Sequence, residues 1–293
     1  MQRSISMVLG LLAIALAGNA LAQQYPSRPI RLIVPFPPGG NVDVFARVLY
    51  RQVEAEIGTN FVIDNRGGAN ADAVAEHALA MMLSLARELP RFDRETRRGA
   101  WRDLAYLVRD FHARTVGILG YGQIGERTAR LAQACGAQVM IHTRSAVTPP
   151  AGMVLEPDFD RFLGRVDILS LHCPLTDGTR GLIGAAQFAR MKPGALLINT
   201  ARGPVIDEPA LVEALKSGRL AGAGLDTFTI EPPDPAHPLF ALPNVLVTPH
   251  VAAATTDAMV RMGTIAANNI ICWLRGEVHD RRNFLNPEMF RGA

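Results

Sequence analysis

The stretch "TVGILGYGQIGERTARLAQACGAQVMIHTRS", residues 115–145, predicts the fold of most of this chain. An apolar strand pattern leads into the glycine pattern G-x-G-x-x-G, and an amphipathic helix and a second strand pattern follow. The first glycine of such a loop permits a tight turn, the second lets a pyrophosphate approach the backbone, and the third lets helix and strand pack closely. We therefore predict a dinucleotide site whose phosphate loop contains Gly120, Tyr121, Gly122, Gln123, Ile124 and Gly125.

Strand and helix patterns alternate over the following hundred or so residues. The strand candidates are residues 115–119, 138–142, 167–171, 195–199, 223–226 and 245–248, and helices are predicted at 124–134 and 208–216. Most of the strands are almost wholly apolar, as expected of strands buried on both faces. This pattern predicts an α/β fold with a doubly wound parallel sheet of the Rossmann type, preceded by a short βαβ-like fragment.

A further helix is predicted before the sheet. Asn70 is a candidate N-cap and Asp72 suits the first turn, and the helix is expected to end near Arg87. Its buried face is predicted to contain Val74, Ala78, Met81, Met82 and Leu85. The polar, arginine-rich residues 88–109 that follow are either a solvated face or a subunit contact.

The end of the second strand bears on the choice of cofactor. An Asp or Glu at this place would bind the ribose hydroxyls of NAD, but this chain has Thr143, Arg144 and Ser145 there. Arg144, helped by the two hydroxyls, can hold the 2′-phosphate of NADP. The alternative is that Arg144 is an ordinary surface residue and the site takes either cofactor. We favour NADP(H) and regard NAD(H) as possible.

Three residues suited to chemistry each follow a strand: Arg202, Glu231 and His250. Ligands bind at the carboxyl ends of parallel strands in open α/β sheets. A guanidinium can bind a carboxylate through two hydrogen bonds, and a histidine can give a proton to a carbonyl oxygen. Taken singly, each has another interpretation: Arg202 as an ion-pair partner, His250 as a loop histidine, Glu231 as a turn residue.

Together these motifs resemble the D-isomer-specific 2-hydroxyacid dehydrogenase family over residues 70–293. The matching stretches are "GANADAVAEHALAMML", "TVGILGYGQIG", "HCPLTDGTRGLI", "LINTARGPVID", "AGLDTF", "EPP", "HPLF" and "NVLVTPHVA". The resemblance implies that Arg202 binds a 2-oxo acid, that His250 is the acid/base and that Glu231 orients it. It also implies that Asp226 lies beside the nicotinamide and that the cofactor cleft is lined by His172, Cys173, Pro174, Thr200 and Ala201. A small substrate such as glyoxylate or hydroxypyruvate and a homodimer through residues 88–109 are further expectations from it.

The first 69 residues have a different character. In "MQRSISMVLGLLAIALAGNALAQQ", Arg3, an apolar run and an A-x-A sequence predict a signal peptide at residues 1–22, with an ordinary buried helix as the alternative. The stretches "YPSRPIRLIVPFPPGG" and "VIDNRGGA" resemble the opening of the Bug-type extracytoplasmic solute receptors of tripartite tricarboxylate transporters. Residues 30–63 predict one βαβ-like unit, with strands at 30–34 and 61–63. In that family the Pro-Gly-Gly turn helps to bind a carboxylate.

We therefore interpret the chain as a fusion. Residues 23–69 are a truncated receptor-like fragment in place of the substrate domain, residues 70–275 are the dinucleotide-binding domain with its catalytic residues, and residues 276–293 are a tail. The expected function is interconversion of a 2-oxo acid and a D-2-hydroxy acid, impaired by the missing substrate domain. The alternatives are a periplasmic carboxylate-binding receptor fragment and a non-functional fusion. Localisation stays open, because the signal peptide implies the periplasm and the dehydrogenase part implies the cytoplasm.

Composition argues against several other classes of function. The net charge is only +3 and the arginines are scattered, which argues against nucleic-acid binding. The three cysteines, Cys135, Cys173 and Cys272, lie far apart, so we expect neither a disulfide framework nor a metal site. Cys135 is predicted to be a small core residue on an apolar helix face. No stretch after the predicted signal peptide is long and apolar enough to be a stable membrane span.

Overall fold

A computed structural model describes residues 30–34, 51, 55, 61–65, 68–102 and 107–274, with the backbone alone for 30–34, 61–65 and 266–274. The chain divides into two compact units, Met1–Arg66 with Ile265–Ala293, and Gly67–Thr264. The predicted signal peptide at 1–22, the tail at 276–293 and most of the receptor-like fragment lie outside the described residues.

The first unit contains a parallel pair of strands. Strand β1, Ile30–Val34, pairs with β2, Phe61–Asn65, so that Ile30 lies opposite Phe61. Parallel neighbours need a crossover connection, which is what the predicted βαβ-like unit provides. Residues 51 and 55 of the intervening stretch are helical, and the remainder of the predicted helix there lies outside the described residues. Both predicted strands are confirmed, and β2 is two residues longer than expected.

The second unit is built on a seven-stranded parallel sheet. Its strands are β3 (Thr115–Leu119), β4 (Gln138–His142), β5 (Met153–Leu155), β6 (Ile168–Leu171), β7 (Ala195–Asn199), β8 (Leu220–Leu225) and β9 (Val245–Val247). They lie in the order β5-β4-β3-β6-β7-β8-β9. The chain runs outward from β3 in one direction, returns, and continues from β6 in the other. The predicted doubly wound Rossmann-type sheet is confirmed, and its order reverses between β3 and β6, where such sheets bind ligands.

The helices described after residue 70 are α1 (Ala71–Ala86), α2 (Leu89–Arg97), α3 (Gln123–Ala134), α4 (Phe159–Arg165), α5 (Ala185–Arg190), α6 (Glu208–Lys216) and α7 (Thr256–Leu274). Helices α1 and α3 cover one face of the sheet, and α4, α5 and α6 cover the other. Along β7, Leu197 packs into one core cluster with α4, α5 and α6, whereas Leu196 and Ile198 pack into a second cluster with α1 and α3. Alternate side chains of one strand therefore bury on opposite faces, which explains the nearly continuous apolar sequence.

Several expectations need correction at their edges. Strand β5 was not predicted, β8 begins at Leu220 instead of residue 223, and β6 begins one residue later than expected. Cys135 is exposed at the end of α3, so the prediction of a core residue is wrong. Asn70 occupies the N-cap position of α1, but its side chain makes no capping hydrogen bond. Among the described helices none is both long and apolar enough to cross a membrane.

Candidate active site

The loop after β3 shows why two of its three glycines are required by the protein itself. Gly120 has a φ of +93°, and a Cβ built on it would lie 2.7 Å from the backbone nitrogen of Cys173. A Cβ on Gly125 would lie 2.1 Å from the carbonyl oxygen of Gly120. Gly122 differs, because its φ of −89° suits any residue and a Cβ there would meet no protein atom within 4 Å. The protein therefore does not demand a glycine at 122, which fits a bound pyrophosphate as the reason for it.

A cavity of about 430 Å³ opens beside this loop at the reversal of strand order. The predicted cofactor residues that line it are Gly120, Tyr121, Gly122, Thr143, Arg144, Ser145, His172, Cys173 and Pro174. Gln123, Ile124 and Gly125 instead form the start of α3, where the Gln123 side chain packs over Gly68. Thr200, Ala201 and Asp226 lie farther along the sheet, after β7 and β8.

The loop after β6 lies directly against Gly120 and forms another wall of the cavity. The His172 ring lies 2.8 Å from the hydroxyl of Ser170, and burial lowers the pKa of His172 from 6.5 to about 4. His172 is therefore neutral at physiological pH. Burial raises the pKa of the Cys173 thiol, so that side chain stays a neutral lining group. This wall presents neutral polar atoms to the cavity.

The corner after β4 carries the cofactor-selecting candidates. Arg144 is exposed and forms no ion pair among the residues described here, and the Thr143 hydroxyl accepts from the backbone nitrogen of Ser145 at 3.4 Å. Glu156, a buried carboxylate after β5, lies within reach of Arg165 at 3.3 Å and Arg161 at 3.7 Å. Because Glu156 is paired with these two arginines, it does not offset the positive charge of Arg144, which is left available for an anion.

The turn after β7 fixes Arg202. Buried Asn199 closes this turn, because its side-chain amide donates to the Arg202 carbonyl at 2.9 Å and its side-chain oxygen accepts from the Ala201 nitrogen at 3.0 Å. A Cβ on Gly203 would lie 2.0 Å from the backbone of Phe228. The Arg202 turn therefore lies directly against the loop that leads to Glu231. Burial lowers the pKa of Arg202, and the nearby Glu231 opposes that shift, so the guanidinium remains charged.

Glu231 and His250 meet across the loops after β8 and β9. The Nδ1 atom of His250 lies 2.8 Å from Oε2 of Glu231, and the other carboxylate oxygen accepts from the backbone nitrogen of Phe228 at 3.0 Å. A carboxylate only accepts, so Nδ1 carries the proton and Nε2 is left to exchange a proton with a ligand. The predicted pair is brought together, and its carboxylate is held from a second direction.

Asp226 is bound to the segment that follows β9. This carboxylate is 1% exposed and accepts from the backbone nitrogens of Val251 and Ala252, each at 2.9 Å. It also accepts from the Thr248 hydroxyl at 2.5 Å. Asp226 therefore ties down the segment that follows His250, a contact that the sequence did not reveal.

Asn199, Thr248 and His77 were missed as site residues. Thr248 lies two residues before His250 in "TPH", and His77 lies in the "AEH" of helix α1. Neither has a sequence signal of its own, because its partner is distant in the chain. His77 on helix α1 meets Thr248, which follows β9, only in the folded protein.

Two buried hydroxyls add to the fit with a polar ligand. Among the described side chains, four polar atoms are buried without a hydrogen-bond partner: Arg114 Nε, Tyr121 Oη, Thr200 Oγ1 and Thr227 Oγ1. The two threonine hydroxyls follow the neighbouring strands β7 and β8. Buried polar atoms without partners are uncommon and are explained when a ligand supplies the missing bonds. The open position at Gly122 and these hydroxyls together fit a dinucleotide with a polar carboxamide end. No group of three potential ligands for a metal ion occurs in the described part of the chain.

The arrangement suits a ligand that carries both a carboxylate and a carbonyl or hydroxyl oxygen. A charged guanidinium at Arg202 suits a carboxylate, and the free Nε2 of His250 suits a carbonyl or hydroxyl oxygen. Glu231 accepts the hydrogen bond from Nδ1 of His250 and so holds the imidazole ring in one orientation.

Comparisons with known proteins agree with this geometry. Residues 79–252 match the family described as D-isomer specific 2-hydroxyacid dehydrogenase, NAD binding domain. A D-3-phosphoglycerate dehydrogenase of Archaeoglobus fulgidus is 37% identical over 226 residues, which are 76% of this chain and 43% of that protein. A glyoxylate reductase of Aeropyrum pernix is 36% identical over 249 residues, 82% of this chain and 73% of that protein. The chain thus spans less than half of the first relative and about three quarters of the second.

A solved structure extends the agreement to three dimensions. The NAD-complexed form of a D-isomer specific 2-hydroxyacid dehydrogenase from Lactobacillus delbrueckii ssp. bulgaricus superimposes with a TM-score of 0.72 at 28% identity, covering 85% of this chain and 77% of that one. These matches do not favour the solute-receptor alternative. On the matched sequence, the shared sheet and the glycine loop, the chain belongs to the D-isomer specific 2-hydroxyacid dehydrogenase family.

Proposed function

We propose that this protein is an oxidoreductase that interconverts a small 2-oxo acid and the corresponding D-2-hydroxy acid with a nicotinamide cofactor. The observation that carries the proposal is the 2.8 Å contact between His250 Nδ1 and Glu231. It leaves one imidazole nitrogen free at the same edge of the sheet as the Arg202 guanidinium. The names of the relatives, glyoxylate reductase and D-3-phosphoglycerate dehydrogenase, support a substrate of this class.

The residues divide the reaction between them. Arg202 binds the substrate carboxylate and orients its carbonyl, and the protonated Nε2 of His250 gives its proton to the carbonyl oxygen as the hydroxyl forms. Glu231 keeps the ring in the orientation and tautomer that this transfer needs. The nicotinamide, when bound, supplies the hydride for reduction and accepts it in the reverse direction.

NADP(H) is the preferred cofactor in this proposal, and NAD(H) binds more weakly. Two observations on the described residues support the preference: Arg144 is exposed and forms no ion pair with any of them, and Glu156 is paired with Arg165. None of the described residues therefore places a free carboxylate against a 2′-phosphate at the end of β4. Fluorescence titration of the purified protein with NADPH and NADH measures it. Equal affinities would contradict the preference while leaving the reaction itself intact.

Turnover is the direct test of the function. Reduction of glyoxylate and of hydroxypyruvate, followed by loss of nicotinamide absorbance, should be detectable with the native chain and lost in His250→Gln. A matched control is His112→Gln, because His112 is an exposed histidine outside the site. Turnover by His250→Gln at the native rate would refute the assignment of the acid/base. Binding of cofactor by the native chain without turnover of either acid would contradict the proposed reaction.

A homodimer through residues 88–109 is part of the proposal. Trp101 and Leu107 in this region are each 81% exposed. A subunit interface would remove both apolar side chains from water, which supports a contact here. Light scattering of the native chain should give twice the chain mass, and a Trp101→Ser and Leu107→Ser double variant should shift toward the monomer. Val154→Ser, at another exposed apolar position, is the control. A native monomer would contradict the proposal.

The organisation of the N-terminal part completes the proposal. Residues 1–22 act as an export signal, and residues 23–69 are a receptor-like fragment in the place of a substrate domain, followed by the dinucleotide-binding part at 70–275 and the tail. The basic, apolar and A-x-A sequence features support the export signal. Cell fractionation and N-terminal sequencing test it: a processed periplasmic protein supports export, whereas an unprocessed cytoplasmic one contradicts it.

A further inference from the structure

Helix α1 places a second histidine behind the segment that carries His250. The Nε2 atom of His77 lies 3.0 Å from the Thr248 hydroxyl and 3.8 Å from Oδ1 of Asp226. The His77 side chain is 24% exposed. It does not line the cofactor cavity, and the proposed reaction gives it no task.

The direction of the hydrogen bonds follows from the acceptor at their centre. The Asp226 carboxylate accepts the backbone N–H groups of Val251 and Ala252, and an ionised carboxylate has no hydrogen to donate. The Thr248 hydroxyl must therefore donate to Asp226 across their 2.5 Å contact. Having given its only hydrogen, that hydroxyl accepts from His77, so Nε2 of His77 carries a proton.

This chain of bonds ends on a backbone that needs support. His250 has a φ of +55°, a conformation that residues other than glycine adopt only when their surroundings hold them there. Val251 and Ala252 follow it directly, and both are held by Asp226. Anything that fixes the Asp226 carboxylate therefore also fixes the conformation of His250.

We propose that His77 is a positioning residue for His250, acting through Thr248 and Asp226. It holds the carboxylate in place by orienting the Thr248 hydroxyl, and it touches neither substrate nor cofactor. Among the described residues, His77 is paired with Asp226 and His250 is paired with Glu231, so the two histidines have separate acidic partners. The consequence for catalysis rests on the proposed function, whereas the structural link from His77 to residues 251 and 252 does not.

Amide hydrogen exchange on the full chain without cofactor tests the structural link. The variant His77→Leu replaces the imidazole by an apolar side chain of similar bulk, which cannot donate a hydrogen bond to Thr248. In this variant the amides of Val251 and Ala252 should exchange about tenfold faster. His77→Gln should restore most of the protection, because its side-chain amide can donate to Thr248. His112→Leu, an exposed histidine elsewhere, should leave these amides unchanged. Unchanged exchange in His77→Leu would overturn the proposal.

A second variant guards against general loss of stability. If His77→Leu also speeds exchange in β6 and β7, Thr248→Val removes the same link without altering α1. Exchange at residues 251 and 252 should be faster in Thr248→Val, and adding His77→Leu to it should speed their exchange no further; a further rise there would refute a link that runs through Thr248.

Kinetics test the catalytic consequence. His77→Leu should lower kcat for glyoxylate about tenfold and leave KM within about twofold, because the positioned acid is lost and the Arg202 contact is kept. His77→Gln should recover most of kcat, and adding Thr248→Val to His77→Leu should cause little further loss. A raised KM with unchanged kcat would refute the positioning of His250. An absence of turnover in the native chain would instead defeat the proposed function, and the exchange result would still decide the role of His77.

Discussion

The glycine loop after β3 allows one pair of substitutions to separate folding from cofactor binding. Gly120→Ala and Gly122→Ala add the same methyl group two residues apart. At Gly120 the methyl would sit at a φ of +93° and 2.7 Å from the Cys173 nitrogen. At Gly122 it would sit at a φ of −89° with no protein atom within 4 Å. The first change should therefore damage the protein, and the second should damage the site.

The magnitudes follow from these contacts. A non-glycine residue at positive φ costs ~1–2 kcal/mol, and forcing a methyl into packed backbone costs ~1–3 kcal/mol more. Gly120→Ala should therefore lower the free energy of unfolding by ~2–5 kcal/mol. At Gly122, loss of a good N-cap residue costs ~0.5–1 kcal/mol, while restricting the unfolded chain returns ~0.4–1 kcal/mol. Gly122→Ala should therefore leave the free energy of unfolding within ~0.5 kcal/mol of the native value.

Two assays read out the pair. Urea denaturation measures the free energy of unfolding, and fluorescence titration with NADPH measures binding. Gly122→Ala should weaken NADPH binding at least about tenfold, because the methyl occupies the path of the pyrophosphate. A Gly122→Ala variant that binds NADPH like the native protein would refute the placement of the pyrophosphate at this loop. A Gly120→Ala variant with unchanged stability would refute the steric argument.

Three further substitutions address the rest of the site. Arg144→Ala should weaken NADPH binding about tenfold to a hundredfold and leave NADH binding within about twofold, since only NADPH carries the lost phosphate contact; an equal loss for both would contradict this. Glu231→Gln should lower kcat about a hundredfold with little change in substrate KM, and a native kcat would show that Glu231 does not orient His250. The pKa of His172 falls from 6.5 to about 4 on folding, so its stabilising contribution is complete above 6.5 and is lost as pH falls toward 4. Between about pH 7.5 and about pH 5 this loss amounts to ~2 kcal/mol, and a His172→Gln variant should unfold in urea with a correspondingly weaker dependence on pH.

The sheet was predictable where local pattern and tertiary burial agree. Strands β3, β4 and β7 were predicted with their observed bounds because each is a short apolar run flanked by turn residues. Strand β8 was understated, since Gly222 and Gly224 weaken its sequence pattern. In the structure Gly222 is needed because a Cβ would lie 2.8 Å from the Asn244 carbonyl oxygen, and no sequence pattern reports that approach. Strand β5 has only three residues and pairs at the sheet edge, too little for a periodic signal.

In the candidate site, too, some residues could be predicted from the sequence and others could not. Arg202, Glu231 and His250 could be predicted as candidates because each carries chemistry and follows a strand. Asn199, Thr248 and His77 were missed because their work depends on partners distant in sequence, as with His77 and Thr248, which are 171 residues apart. Asp226 was identified, but its bonds to Val251 and Ala252 depend on how the chain turns after β9. Exposure of Cys135 was mispredicted because it ends α3, where an apolar periodicity no longer indicates burial.

The order of strands in the sheet also has a consequence for how this protein can diversify. Arg144 follows β4 and His250 follows β9, and four other strands lie between these two in the sheet. At about 4.8 Å a strand, the two positions are separated by roughly 24 Å across the sheet. Substitutions so far apart usually add without interacting. Under the proposed function, the cofactor preference at Arg144 and the proton transfer at His250 can therefore be altered one at a time, by selection or by an engineer, without either change having to be compensated at the other end.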